Sequence, residues 1–312
     1  MQPRAEVFDL KHRFAVSVVL AGILWGIIGL FVRDLDESGL DSLQIVFVRV
    51  LFSMILLALG LLFFKRAYFK IRLRDLWCFF GTGVLSITFF NFCYFYTMTA
   101  TSLSVASVLL YTAPVFVAVM ASFLFGEKMT ILHVCCLALA LLGCGLVTGV
   151  WLESPELSMT GILTGLGAGF GYALYSIFGR YALERGYHTL TVNFWTFLMA
   201  SAVLLPFVRP WEITEQIAKG DFPWVGTACL VLLSTVLPYL LYTYGLTGIE
   251  SGKASIMATV EPVVATVVGV LVYREGLTVW SACGMILVLL AVVLLNLPVD
   301  QIRKKSDADN HS

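Results

Sequence analysis

The sequence predicts an all-α membrane protein of ten transmembrane helices, arranged as two inverted five-helix repeats. Three observations carry this. The 312-residue chain is 59% hydrophobic and 13% charged, with a mean hydropathy of +0.91, whereas soluble domains are about 45–50% apolar and about 25% charged. Its apolar residues gather into ten runs of about 17–25 residues, the length that crosses about 30 Å of hydrocarbon. The last five runs echo the first five.

The runs lie at 14–32, 43–64, 76–98, 103–125 and 131–151, then at 162–182, 192–208, 224–245, 254–273 and 279–297. The first is read as a retained helix, because no small-residue cleavage site precedes the acidic stretch at 33–41. Long unbroken runs exclude a membrane barrel, whose strands are short and alternate in polarity. The runs divide the chain into a five-helix unit at 14–151, a second at 162–297 and a polar cytoplasmic tail at 298–312.

The echo is clearest in residues 96–130 against 244–278, aligned without gaps. Tyr96/Tyr244, Thr99/Thr247, Ala106/Ala254, Ser107/Ser255, Pro114/Pro262, Val115/Val263, Val119/Val267, Glu127/Glu275 and Thr130/Thr278 are identical. Arg33/Arg180, Phe47/Phe194 and Trp77/Trp224 match at a separation of 147. Five spans is an odd number, so the second copy enters the bilayer from the opposite side, as in many secondary transporters.

Orientation follows from the cations. With the amino terminus in the cytoplasm, 15 of the 20 Lys and Arg residues fall on the inner side. They include the Lys65–Arg74 cluster, Lys128, Arg180, Arg185, Lys253 and Arg303–Lys305. Only Arg33, Arg209, Lys219 and Arg274 fall outside, where Asp34, Asp36, Glu37, Asp41, Glu153 and Glu156 lie. This positive-inside bias places both termini in the cytoplasm. Thr130 and Thr278 stand where each can cap the helix that follows. Glu127 and Glu275 are expected at solvated helix ends.

Two charges lie within spans. Arg49 is about six residues into the second run and Glu261 about seven into the ninth, so their backbones differ by about 10 Å in depth. Intramembrane ionisable groups are costly and by default mark a functional site. Either both face a central cavity, or Arg49 snorkels to the outer headgroups and Glu261 is a neutral structural brace. Pro262 removes a backbone donor beside Glu261, and Pro114 does so in the echo. Both should break their helices and serve as hinges.

Trp25, Asn91, Tyr94, Ser107, Tyr111, Tyr172, Tyr175, Ser176, Tyr239, Tyr242 and Ser255 complete the candidate substrate pathway. Tyr172, Tyr175 and Ser176 share a helix face by their spacing, and tyrosines offer an apolar wall with a hydroxyl for an organic substrate. The same residues also build interfacial belts. Glycine faces at Gly22/Gly26, Gly145/Gly149, Gly161/Gly165/Gly169 and Gly167/Gly171 predict close helix packing.

Other chemistries find no support. The formal net charge is zero, which gives no footprint for nucleic acid. The seven cysteines and four histidines show no metal-ligand spacing. Hydrolase, metalloprotease and phosphate-loop motifs are missing, so no enzymatic activity, cofactor or metal is expected.

The chain resembles the drug/metabolite transporter superfamily, in particular proteins built from two EamA domains. The resemblance spans about residues 14–297. It rests on Trp25-Gly26, on Arg49, on the block from Pro114 to Gly126-Glu127, and on its second copy from Glu261-Pro262 to Glu275. Arg274 departs from the pattern by replacing the glycine before the second glutamate. The resemblance implies a central cavity lined by the first, third, fourth, sixth, eighth and ninth spans. It also implies transport of amino acids, nucleotide-sugars, other metabolites or drugs, often outward and often proton-linked.

The expected function is therefore export of a small organic metabolite such as an amino acid by alternating access, from a bacterial inner or plasma membrane. The expected partners are the small-molecule substrate and the lipid bilayer, with proton linkage as the coupling to test and a monomer or homodimer as the assembly. The alternative reading is a non-transporting membrane sensor or scaffold subunit.

Overall fold

The computed structural model describes residues 3–150, 158–220 and 222–296. The Glu153 and Glu156 loop and the tail from Asp300 lie outside the described residues. Among those residues the regular structure is helical throughout. Ten helices are long and apolar enough to span a membrane: His12–Glu37, Ser42–Phe64, Leu73–Ala100, Leu103–Phe125, Ile131–Thr148, Met159–Glu184, Thr189–Phe207, Trp224–Gly245, Ser251–Tyr273 and Val279–Asn296. A helix satisfies its own backbone polar groups, which is the condition for crossing hydrocarbon. The end of the bundle where the first span begins is called here the amino-terminal end, and the opposite end the far end.

Helix packing displays the inverted repeat. The second span packs on the seventh and the fifth on the tenth. The first packs on the eighth and ninth, and the sixth on the third and fourth. Exchanging the two halves maps each of these pairings onto itself or onto another in the set, the pseudo-two-fold that such a repeat requires.

One expectation needs correction. The acidic stretch after the first run is not a loop, because the helix continues through Glu37. Leu35 is buried there while Arg33, Asp34, Asp36 and Glu37 are exposed, so an amphipathic turn satisfies water and protein together. Gly149 ends the fifth span in the left-handed conformation, φ 68°. The seam between the fifth and tenth spans also uses Gly143 and Gly284, where a Cβ added at Gly284 would lie 2.6 Å from the Gly143 carbonyl oxygen.

The fourth and ninth spans are each broken. The fourth consists of Leu103–Leu110 and Ala113–Phe125, and the ninth of Ser251–Ala258 and Val260–Tyr273. Each proline sits in the first turn of the second segment, where its missing N–H has no helical acceptor to lose. The break itself lies just upstream, at Tyr111–Thr112 and at Thr259. Small residues let neighbours approach these breaks. A Cβ added at Gly22 would lie 2.9 Å from Ala258 O, and one at Gly169 would lie 2.8 Å from Leu109 O. Gly22 and Gly169 are 147 residues apart, so each half offers the same glycine to the other half's broken helix.

The third and eighth spans each contain a stretch of π-helix, at Gly81–Thr88 and Leu232–Val236. Thr88 Oγ1 donates to Gly83 O at 3.1 Å and Thr235 Oγ1 to Leu230 O at 2.9 Å, both five residues back. These wide turns occupy equivalent places in the two repeats, and single π-turns of this kind often occur at functional sites.

The candidate substrate site

The breaks, the wide turns and the charged pair converge on the middle of the bundle. Glu261 follows the Thr259 break by two residues. It lines a cavity with Tyr111, Pro114, Tyr172, Ser255 and Thr259. Ser255 and Thr259 donate their hydroxyls to Gly252 O and Ile256 O, at 2.8 Å and 2.6 Å. They therefore turn toward their own helix and do not hold the carboxyl group. Among the described residues the Glu261 carboxyl makes no hydrogen bond and no ion pair. The brace reading of Glu261 thus finds no bonded partner.

Arg49 approaches from the second span. Its Nε is buried without a hydrogen-bond partner. Its electrostatic neighbours are Tyr239, Glu261 and Tyr172, so the guanidinium faces the protein interior and not the headgroups. Arg49 and Glu261 feel each other's charge, yet no ion pair joins them within 4.0 Å. Arg49 is not on the wall of the Glu261 cavity, and charges left unpaired in a low-dielectric setting are costly.

A second cavity shares Tyr172 with the first. Its walls are Trp25, Ser86, Phe90, Tyr175, Ser176, Tyr239 and Tyr242. The Trp25 ring lies 5.3 Å from Tyr239, 5.4 Å from Tyr242 and 6.4 Å from Tyr172, measured between centroids. Edge and tilted contacts at such distances are the favoured geometry of aromatic rings. The hydroxyls are fixed from behind. Tyr242 pairs with Ser176 at 2.7 Å. Tyr175 pairs with Thr243 at 2.7 Å and donates to Asn193 Oδ1 at 3.1 Å.

Most of the residues expected along the pathway therefore meet around these two cavities. Tyr94 pairs with Ser107 at 3.2 Å and counts Glu261 among its electrostatic neighbours, but neither residue lines a cavity wall. Asn91 is buried and donates to Ile87 O of its own helix at 2.7 Å, outside both walls. Sequence reasoning missed Phe90, Ser86 and Asn193. Asn193 was findable, as a polar amide just inside the start of the seventh apolar run.

The EamA-like transporter family pattern matches residues 13–149 and 159–297. The chain belongs to this family and is a transporter. An uncharacterized transporter of Archaeoglobus fulgidus is 27% identical over 286 residues, covering 89% of this chain and 94% of that protein. The threonine/homoserine exporter RhtA of Salmonella typhimurium is 28% identical over 201 residues, covering 62% of each. A protein of known crystal structure shares the fold with a TM-score of 0.74 at 15% identity, covering 90% of this chain and 95% of that one.

Proposed function

We propose that the chain is a secondary exporter of a small zwitterionic metabolite, with an amino acid as the best fit. One observation carries this reading: Glu261 lines an interior cavity with no bonded partner among the described residues, it and the nearby Arg49 act on each other's charge without an ion pair, and an aromatic box adjoins through Tyr172. A zwitterion supplies the two missing partners. Its carboxylate meets the Arg49 guanidinium, its ammonium meets Glu261, and its side chain enters the box of Trp25, Phe90, Tyr172, Tyr239 and Tyr242. The amino-acid substrate in the name of the Salmonella relative supports the same class.

The cycle follows from the fold. The broken fourth and ninth spans give each half a flexible point near the site, at the breaks just before Pro114 and Pro262, and the inverted halves rock about it. The cation bias supports a cytoplasmic amino-terminal end, and the reading puts the protein in a bacterial inner or plasma membrane. Glu261 is also the natural proton carrier, because a proton and a substrate ammonium compete for one carboxylate.

The test is counterflow of radiolabelled amino acids in proteoliposomes at pH 5.5 and 7.5. Glu261→Gln is expected to abolish flux, or to leave flux that no longer responds to pH, while the protein still inserts. Wild-type flux with unchanged pH dependence in this variant would sink the role of Glu261.

A further inference from the structure

We propose that Arg180–Glu127 and Arg33–Glu275 are the two gates of the transport cycle, the first latched and the second unlatched in this structure, and that each cycle exchanges them. The inference rests on the alternating-access reading above.

The two pairs occupy the same positions in the two repeats. Arg33 and Arg180 are 147 residues apart, and Glu127 and Glu275 are 148 apart. An aromatic residue precedes each glutamate by two and lies under the arginine. The Arg180 guanidinium is 5.4 Å from the Phe125 ring and that of Arg33 is 3.7 Å from the Tyr273 ring. Inversion puts the first pair at the amino-terminal end and the second at the far end.

Their states differ. Glu127 Oε1 lies 3.3 Å from Arg180 Nη1, with side chains 9% and 24% exposed. The same carboxylate accepts from the backbone amides of Ser251 at 2.7 Å and Gly252 at 3.0 Å. Arg180 also donates to Ile249 O at 3.4 Å. One glutamate thus ties the end of the fourth span to the start of the ninth and to the sixth. Charge-assisted bonds of this kind are the strong ones.

At the far end Glu275 reaches, among the described residues, only Arg33, at 3.5 Å, and both side chains are more than half exposed, at 57% and 53%. The counterparts of Ser251 and Gly252 are Leu103 and Ser104, at the start of the fourth span. Among the described residues Glu275 accepts from no backbone amide. Helix packing follows the same division. Segment Ser251–Ala258 packs along Ala113–Phe125, whereas their counterparts, Leu103–Leu110 and Val260–Tyr273, do not pack along one another. Closing the far end requires Glu275 to move onto the start of the fourth span, as Glu127 now sits on the start of the ninth. Opening the amino-terminal end requires Glu127 to let go.

Amide hydrogen exchange on the full-length protein in nanodiscs tests this. Glu127→Gln should speed exchange at 126–130 and 249–253 by about tenfold, the factor set by losing one hydrogen bond to a charged group. It should also slow exchange at 101–106 and 274–278, because the released population closes the far end. Glu275→Gln should leave the amino-terminal end unchanged. If Glu127→Gln does not fold, Arg180→Lys keeps the charge, loses the planar fork and should show the same two shifts at smaller size. Faster exchange at the amino-terminal end alone, with the far end unmoved, overturns the proposal and leaves Glu127 a local cap. Wild-type flux is measured on the same purified protein reconstituted into proteoliposomes. A carrier of zwitterions without reciprocal exchange overturns the gates alone. Reciprocal exchange without zwitterion flux overturns the substrate alone.

Discussion

The two ends of this bundle are built from the same residue positions, yet they hold differently. At the amino-terminal end a buried carboxylate gathers one guanidinium and two backbone amides. At the far end its counterpart reaches one guanidinium in water. Sequence identity at matched positions therefore does not fix the energy of an interaction; burial and the number of donors do. The amino-terminal end is further braced by Asp75, which accepts from Arg185 at 3.2 Å and from the Tyr187 hydroxyl at 2.8 Å. The far end has its own tie, in which Gln44 donates to Glu212 at 2.8 Å.

The largest expected effect breaks this comparison directly. Glu127→Ala leaves the Ser251 and Gly252 amides without their acceptor, while Arg180 keeps Glu184 and Ile249 O, and should cost about 2–3 kcal/mol, as for loss of a hydrogen-bonding charged group. Glu275→Ala removes an exposed pair and should cost less than about 1 kcal/mol. Unfolding free energies in mixed micelles give both numbers, and equal costs would erase the distinction drawn between the ends.

Next come the glycines at the breaks. Gly22→Ala and Gly169→Ala each place a methyl group against backbone and should each destabilise by about 1–3 kcal/mol. Gly29→Ala is the control, since a Cβ there meets nothing within 4 Å. A large difference between Gly22→Ala and Gly169→Ala would show that the two halves do not share their central contact.

The smallest effect concerns the residue before each glutamate. Gly126 and Arg274 both end their helices in the left-handed region, at φ 66° and 57°. In each case the following glutamate amide bonds six residues back, Glu127 to Ala121 O and Glu275 to Gly269 O. The departure at Arg274 thus keeps the cap and accepts its steric cost. Arg274→Gly should stabilise by about 1 kcal/mol, read as a raised melting temperature. Gly126→Ala should lower it by a similar amount.

Much of this was legible in the chain before folding. Ten spans follow from run lengths, because hydrocarbon thickness sets them. The matches at Arg33/Arg180 and Glu127/Glu275 announced the duplication, and the two prolines announced the broken helices. The capping by Thr130 and Thr278 was equally legible, since both accept from an amide three residues on. What stayed hidden depended on tertiary burial. Glu127 reads as a solvated helix end, and nothing local shows that the ninth span's first amides come to meet it. The wide turns were hidden too, because an extra residue in an apolar run leaves its composition unchanged. Phe90 escaped for the same reason: the turn before it resets which face it occupies.

Those wide turns date the molecule. Thr88 and Thr235 make the same five-residue bond at equivalent places in the two repeats. A feature present in both copies belonged to the single unit before it was doubled. In both repeats the bulge falls in the third helix, so the two copies carry it in opposite orientations across the membrane. The present chain keeps the bulge twice and has let the charges diverge around it, with Glu261 in one half and Ala113 in the other. Age and specialisation are thus written at different depths of the same fold.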